Sequence, residues 1–198
     1  MTSLEIFVDF KSPGSYLALA PALELAERLS LDIEWRPLQT RQESVPEAAA
    51  EETRGETHRR VRAEARRRVH KKYAAIRDLP MKFPHHPGNS DLALAALLLL
   101  DHPLPFIQGA FNAYWAKGAD LNDAAVVDGL LQASGHHLDS TALQAALARV
   151  EEGTRAAQER GIPDAPAFVV DEQVFVGREH LDVIEALVLD ARKLEAQR

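Results

Sequence analysis

The chain has 198 residues, of which 46% are hydrophobic and 27% are charged. A chain of this length can bury the core of one domain, and its composition excludes disordered and fibrous proteins. It contains no cysteine, which excludes disulfides, cysteine-ligated zinc sites and a thiol nucleophile of the protein's own. Any thiol chemistry at this protein therefore requires a thiol supplied by a ligand.

The longest apolar run, residues 92–100, is shorter than the stretch of about 20 residues that a membrane helix requires. The first alternating apolar segment starts at Leu4, which leaves no room for the charged, apolar and cleavage regions of a secretory signal. We therefore expect no membrane span and a cytoplasmic location.

Charge is distributed unevenly along the chain. The formal net charge is −7, yet residues 54–72 contain nine lysines and arginines and only two glutamates. Val61, Ala65, Val69 and Tyr73 recur at every fourth residue, which predicts an amphipathic helix with its arginines on the solvated face. Such a segment also suits an anionic or carboxylate ligand, but it lacks the interleaved aromatic residues typical of nucleic-acid sites. We expect no nucleic-acid partner.

The first 38 residues predict a strand, a helix and a second strand. Residues 4–10 alternate in polarity, and Phe7 makes the second face apolar too, as in a central strand buried on both sides. A helical pattern begins near Pro13 and continues past Pro21, which is expected to kink the helix rather than end it. A second alternating run, residues 31–37, completes a crossover unit with parallel strands.

The C-terminal part predicts two more strands and a final helix. Residues 167–171 and 173–176 are short β-rich runs separated by about one turn, which indicates an antiparallel hairpin. Residues 181–191 carry one apolar stripe at helical spacing, so the last helix is expected to pack on the sheet. Between the two halves the sequence predicts only helices, at residues 59–75, 90–101, 104–117, 122–134 and 140–160.

The simplest architecture for these predicted elements is an α/β fold in which a βαβ half and a ββα half form one mixed sheet. Residues 1–38 and 161–198 would make up the domain that contains the sheet, and residues 39–160 would be an all-helical insertion. No internal repeat or linker-like stretch argues for a different division.

Ser12 stands where the first strand meets the first helix, in the stretch Ser12-Pro13-Gly14-Ser15. The first amides of a helix lack internal partners and the helix dipole is positive there, so a thiolate or another anion is stabilised at this place. The alternative is purely structural, because serine is a common N-cap and proline a common first helical residue. Spacing alone leaves both interpretations open.

A second informative stretch runs from Gly161 to Val170, where Pro166 leads directly into a strand. Together with Ser12-Pro-x-Ser-Tyr-Leu-Ala, with Gly177 and with Leu181-Asp182 at the start of the last helix, it resembles the 2-hydroxychromene-2-carboxylate isomerases. These are relatives of the kappa-class glutathione transferases within the thioredoxin-like, DsbA-type group. The resemblance implies a thioredoxin-like fold for the predicted sheet.

The resemblance also implies a glutathione site. Ser12 replaces the first cysteine of the redox motif, and its hydroxyl would bind the sulfur of glutathione and favour the thiolate without acting as a nucleophile. Pro166 matches the cis-proline of the family, and Ala165 before it would offer its backbone amide and carbonyl to the cysteinyl unit. Glu179, next to Arg178, occupies the place of the aspartate that receives the glutathione amino group, so both are candidate glutathione contacts.

The implied reaction is the cis-trans isomerisation of an aromatic or similarly conjugated keto acid through a transient glutathione adduct. The thiolate would add to a conjugated carbon, the former double bond would rotate and the thiolate would leave, with no metal and no redox change. Candidate substrate contacts are Ser15, Tyr16, Arg36 and Asn89, although a strand end explains Arg36 and a helix cap explains Asn89 equally well. The resemblance further implies a homodimer.

Two other groups of residues invite functional interpretations. The pairs His85-His86 and His136-His137 lack the spacing and the acidic neighbours of known metal sites, so we expect no metal. Phe111, Tyr114 and Trp115 are more typical of a core or a pocket wall than of a cofactor site. Two rival functions remain, a kappa-like glutathione transferase and a thioredoxin-like binding protein without redox chemistry.

Overall fold

The computed structural model describes residues 3–41, 52–84 and 88–197. Its centre is one mixed sheet of four strands in the order β2-β1-β3-β4. Strand β1 is parallel to β2 and antiparallel to β3, and β3 is antiparallel to β4. The strands are β1 (Ser3–Val8), β2 (Asp32–Pro37), β3 (Ala167–Val170) and β4 (Gln173–Val176). The predicted mixed sheet with a central first strand is therefore confirmed.

Helices follow or separate these strands in the predicted order. They are α1 (Pro13–Leu29), α2 (Arg54–Ile76), α3 (Asp91–Leu98), α4 (Leu104–Asn112), α5 (Ala124–Ala133), α6 (Ser140–Glu159) and α7 (Leu181–Ala196). Within the described residues, the chain between β2 and β3 forms helices only. A single apolar core joins the helices of this segment to one face of the sheet. Its division from the sheet as a domain of its own stays a prediction.

The helical segment reaches the sheet through α3 and the turn after α4. All residues from Leu92 to Leu97 are buried, and α3 packs against β2 and α6. The predicted helix 104–117 is divided, because α4 continues into one turn of π-helix, Ala113–Lys117, which buries Tyr114 and Trp115. The Trp115 indole N–H donates to the Phe10 carbonyl at 2.9 Å. This bond ties the helical segment to the turn between β1 and α1.

The basic helix differs from its prediction in two respects. Helix α2 starts earlier than expected because Thr53 and Glu56 form a capping box. Two of the four residues of its predicted apolar face are exposed: the exposed fractions of Val61 and Val69 are 47% and 59%, whereas Ala65 and Tyr73 are half-buried. Ala74 is the one buried residue of the helix. Spacing identifies an apolar face but not the surface that covers it, and here the helix touches the core only near its C-terminal end.

Candidate active site

Ser12 is the N-cap of α1 and also the centre of a contact between the two ends of the chain. Its hydroxyl oxygen accepts the Ser15 N–H at 3.3 Å, and its hydroxyl hydrogen is donated to the Ala165 carbonyl at 2.6 Å. Ser12 is buried. The two interpretations of the sequence therefore do not exclude each other, because the capping serine also faces the loop before Pro166.

The peptide bond between Ala165 and Pro166 is cis, as the resemblance implies. Pro166 lies against the first turn of α1, where a Cβ atom added to Gly14 would be 2.8 Å from Pro166 Cδ. A residue with a side chain cannot occupy position 14 without moving one of these backbones. The sequence does not predict this contact of Gly14, although a glycine within a helix is unfavourable and can mark a close approach.

Both main-chain polar groups of Ala165 have partners within the chain. The carbonyl accepts the Ser12 hydroxyl, and the N–H donates to Asp164 Oδ1 at 2.8 Å. These are the two groups that the resemblance assigns to the cysteinyl unit of glutathione. A ligand that accepts from the N–H has to replace Asp164, whereas the carbonyl, with its two lone pairs, can accept from a ligand beside Ser12. Nothing in the sequence pointed to Asp164.

Arg178 and Glu179 lie on the short 3-10 turn between β4 and α7. The Gly177 N–H before this turn donates to the Pro166 carbonyl at 2.8 Å, so the turn is attached to the cis-proline loop. The Glu179 side chain is exposed and lies against Gly177. The Arg178 guanidinium lies over the Tyr73 ring of α2, 3.4 Å from its centroid. The turn that carries both charged residues is therefore attached to the cis-proline loop, while the Arg178 side chain is directed to α2.

Ser15 and Tyr16 are buried supports of the Ser12 turn. The Ser15 hydroxyl oxygen accepts the Asp9 N–H at 3.3 Å. Tyr16 stacks on Trp115 with a centroid distance of 5.8 Å and donates its hydroxyl to the Pro80 carbonyl at 3.0 Å. Burial raises the pKa of the Tyr16 hydroxyl. Both side chains are buried and bonded within the chain, and their role as substrate contacts stays a prediction.

Arg36 is not brought together with Ser12. Its exposed guanidinium binds Glu5 at 3.1 Å and Glu34 at 2.6 Å. Glu5 is also bound by Arg160 at 3.0 Å, and this hydrogen bond is the main cause that lowers the pKa of Glu5. Glu5 and Arg160 line a surface cleft near the start of β1, at the end of that strand opposite to Ser12. A structural role at the strand surface accounts for Arg36.

Asn89 combines the two roles considered for it. Its side-chain oxygen accepts the Asp91 N–H at 2.8 Å, which caps α3, and the residue also lines a cavity of about 480 Å³. Phe83 and Tyr114 contribute aromatic walls to this cavity, and Lys82 and Asp120 contribute one charge of each sign. Ser90, which follows Asn89, is buried and bound to Asp9 and Lys11. The cavity wall is thereby connected to the Ser12 turn.

The comparisons with known proteins agree with this arrangement. The model of the DSBA-like thioredoxin domain family matches residues 3–188. A 2-hydroxychromene-2-carboxylate isomerase from Sphingobium xenophagum is 31% identical over 199 residues, which cover 95% of this chain and 98% of the relative. The chain belongs to the 2-hydroxychromene-2-carboxylate isomerase family. The family inferred from the two ends of the sequence is confirmed, and with it the expectation of an isomerase-type enzyme.

Solved structures match this member of the isomerase family over nearly its whole length. A 2-hydroxychromene-2-carboxylate isomerase has a TM-score of 0.70 at 21% identity, with 98% of each chain covered. The cytosolic disulfide reductase DsbM from Pseudomonas aeruginosa, solved with GSH, has a TM-score of 0.64 at 15% identity, with 96% of this chain and 99% of that chain covered. These likenesses confirm the thioredoxin-like fold.

Metal-binding groups and membrane-spanning helices were both considered for this family member. Among residues 3–41, 52–84 and 88–197, no group of three histidine, aspartate or glutamate side chains is placed to hold a metal ion. His136 contacts the Ser134 hydroxyl at 3.1 Å, whereas His85 and His86 lie outside the described residues. No helix in the described part of the chain has the length and apolar character needed to cross a membrane.

Proposed function

We propose that the protein is a glutathione-dependent cis-trans isomerase that acts on aromatic or similarly conjugated keto acids. One observation carries the proposal: in a chain without cysteine, the Ser12 hydroxyl lies at the N-terminus of α1 and 2.6 Å from the carbonyl before cis-Pro166. When bound there, glutathione would supply a thiolate that adds to a conjugated carbon and leaves again after bond rotation. No net redox change accompanies this chemistry.

The surroundings of Ser12 suit a thiolate. Helix α1 has 17 residues, and the partial positive charge at its N-terminus amounts to about half an elementary charge. A free thiol has a pKa of about 8.5, and the N-terminus of a helix lowers it. Burial of Ser12 limits screening by solvent, which strengthens the hydrogen bond that its hydroxyl can donate to an anion.

Ser12 must change its hydrogen-bond acceptor to serve this purpose. A serine hydroxyl has one hydrogen, and Ser12 donates it to the Ala165 carbonyl. Donation to a sulfur atom therefore requires the hydroxyl to rotate away from Ala165. The Ala165 carbonyl and N–H, released from Ser12 and Asp164, would then bind the main chain of the cysteinyl unit, so that the number of hydrogen bonds is maintained.

The charged residues of the turn after β4 suit the ends of glutathione. The exposed Glu179 carboxylate would receive the amino group, and it reaches one methylene further than the aspartate that it replaces. Arg178 would provide a positive charge for a carboxylate, while the face of Tyr73 holds its guanidinium in place. The donor set of the site, with one hydroxyl, one main-chain pair and one charge of each sign, thus fits the tripeptide.

The cavity beside Asn89 is our candidate for the substrate pocket. Its aromatic walls, Phe83 and Tyr114, suit a planar ring, and Lys82 supplies a positive charge for the carboxylate of a keto acid. The bond to the Asp91 N–H uses the Asn89 side-chain oxygen, so the side-chain NH2 group would be the donor to a substrate. Replacing Asn89 with alanine should therefore raise KM for the keto acid more than it weakens glutathione binding.

The test begins with glutathione binding. A ligand at 100 times its dissociation constant stabilises the folded protein by about 2.7 kcal/mol, which thermal unfolding detects easily. Isomerisation of a conjugated keto acid without consumption of glutathione would support the proposal, and stoichiometric loss of free thiol would indicate a kappa-like transferase instead. Absence of any thermal shift at millimolar glutathione would contradict both and leave a binding protein without redox chemistry.

We also propose a cytoplasmic homodimer. Dependence on glutathione suits the reducing cytoplasm, where this thiol maintains the redox state. The dimer is supported by the exposed Val61, Val69 and Ile76 on α2 and by charge complementarity between residues 54–72, with a net charge of +7, and the strongly acidic remainder. Sedimentation equilibrium tests the dimer, and cell fractionation tests the location.

A further inference from the structure

A buried ion pair lies directly behind the Ser12 turn. Asp9 is completely buried, and the Lys11 side chain, which is 8% exposed, forms a salt bridge with it. The Asp9 carboxylate also accepts the Ser90 hydroxyl at 2.6 Å and the Thr40 N–H and hydroxyl at 2.7 and 2.8 Å. Neither Asp9 nor Lys11 was a site candidate in the sequence, because nothing in their spacing indicated that this carboxylate is buried.

The main chain of Asp9 holds both serines of the site turn. Its carbonyl accepts the Ser12 N–H at 3.0 Å, and its N–H donates to the Ser15 hydroxyl at 3.3 Å. Its side chain reaches Ser90, whose neighbour Asn89 lines the cavity. Asp9 thus connects the position proposed for the thiolate with the wall of the proposed substrate pocket.

We propose that Asp9 and Lys11 are positioning residues that set the pKa of a thiol held at Ser12 and fix the Ser12 turn against the cavity wall. The inference rests on the proposed function, since it concerns the thiol of that site. Charges excluded from water act on neighbouring groups with little screening. A buried ion pair is seldom more stabilising than apolar residues of the same size, so stability alone gives no reason for one here.

The absence of cysteine allows a direct measurement. A Ser12→Cys variant contains a single thiol at the site, and the pH dependence of its alkylation by iodoacetamide gives the pKa of that thiol without glutathione or substrate. In this background Lys11→Met should raise the thiol pKa by about one unit, because a cation is lost. Asp9→Asn should lower it by a similar amount, because an anion is lost.

Controls separate the electrostatic role from a structural one. Lys11→Arg keeps the charge and should leave the thiol pKa within about 0.3 units of the Ser12→Cys parent. Lys193→Met removes the cation of an exposed ion pair with Asp190 and should not change it. The other charges at the site, on Asp164, Arg178 and Glu179, are the same in every variant and cancel from the comparison.

Shifts of opposite sign for Lys11→Met and Asp9→Asn support the inference. Shifts of the same sign, or shifts no larger than that of Lys193→Met, overturn it. If Lys11→Met does not fold, as judged by circular dichroism, the nearly isosteric Asp9→Asn decides alone: a lowered thiol pKa supports the inference, and an unchanged or raised one overturns it. Glutathione binding by the wild-type protein is measured separately, so failure of the proposed function is distinguishable from failure of this inference.

Discussion

The Ser12 hydroxyl and the Ala165 carbonyl are 153 residues apart in the chain and 2.6 Å apart in the structure. Their hydrogen bond joins the helix N-terminus after the first strand to the cis-proline loop before the third. The site therefore forms only when the N-terminal and C-terminal halves of the sheet pair through β1 and β3. A change that shifts one half of the sheet relative to the other should therefore break the hydrogen bond between Ser12 and Ala165.

Ser12→Ala should keep the fold and lose most of the activity. The lost cap costs about 1 kcal/mol of unfolding free energy. Removal of a donor to a developing or bound anion lowers turnover by about a hundredfold or more. Asp139→Ala is a matched control, because Asp139 caps α6 with two accepted N–H bonds away from the site. Equal turnover of the Ser12→Ala protein and the wild type would remove Ser12 from the mechanism.

Gly14→Ala should destabilise the protein although alanine favours helices. The added Cβ would meet Pro166 Cδ at 2.8 Å, and neither the proline ring nor the first turn of α1 can move easily. We expect a loss of about 1–3 kcal/mol by overpacking. Gly129→Ala in α5, where nothing lies within 4 Å, should instead stabilise by about 0.5–1 kcal/mol. Thermal unfolding of both variants measures this difference in sign.

Asp164→Ala should tighten glutathione binding. In the wild type the Asp164 carboxylate accepts the Ala165 N–H, so a ligand that accepts the same N–H must displace this carboxylate. Without this competitor we expect the dissociation constant to fall about fivefold, which corresponds to one hydrogen bond of about 1 kcal/mol. Asp164→Asn keeps an acceptor and should bind more like the wild type. A weaker complex with the alanine variant, measured by calorimetry, would mean that Asp164 is itself a ligand contact.

The strands and most helices could be predicted because their patterns are local. Alternating apolar residues identified β1, and the stretches around Ser12 and Pro166 together identified the family. The exposed face of α2 could not be predicted, since the periodicity of Val61 and Val69 is the same whether or not a surface covers them. Tertiary packing decides such a question, and no single segment contains that information.

The sequence predicts a site residue only where that residue belongs to a recognisable local motif. Ser12 and Pro166 stand in recognisable motifs, whereas Gly14 and Asp9 act through partners that are distant in the chain, Pro166 and Ser90. Asp164 bonds to its neighbour Ala165, a contact that spacing does not reveal. Asp9 illustrates the limit most clearly, because an aspartate after an alternating strand usually begins a turn in solvent. Its partner Ser90 is 81 residues away, and no spacing rule connects them.

The pH dependence of stability should include a contribution from Glu5. The hydrogen bond from Arg160 lowers the pKa of Glu5 below its ordinary value of 4.5 in the folded protein, so the charged form stabilises the fold. This stabilisation is present above pH 4.5 and is lost as the pH falls through the lower folded-state pKa. Because Arg160 is half exposed, we expect only about 0.5–1 kcal/mol at neutral pH.

Glu5→Gln isolates this contribution. Its melting temperature should be lower than that of the wild type at about pH 7, and the difference should shrink as the pH falls through the lowered folded-state pKa of Glu5 and vanish once both side chains are uncharged. Glu34→Gln is the matched control, because Glu34 is more exposed and binds only one of the two arginines that Glu5 binds. A difference that persists unchanged at acidic pH would assign the role of Glu5 to packing rather than to its charge.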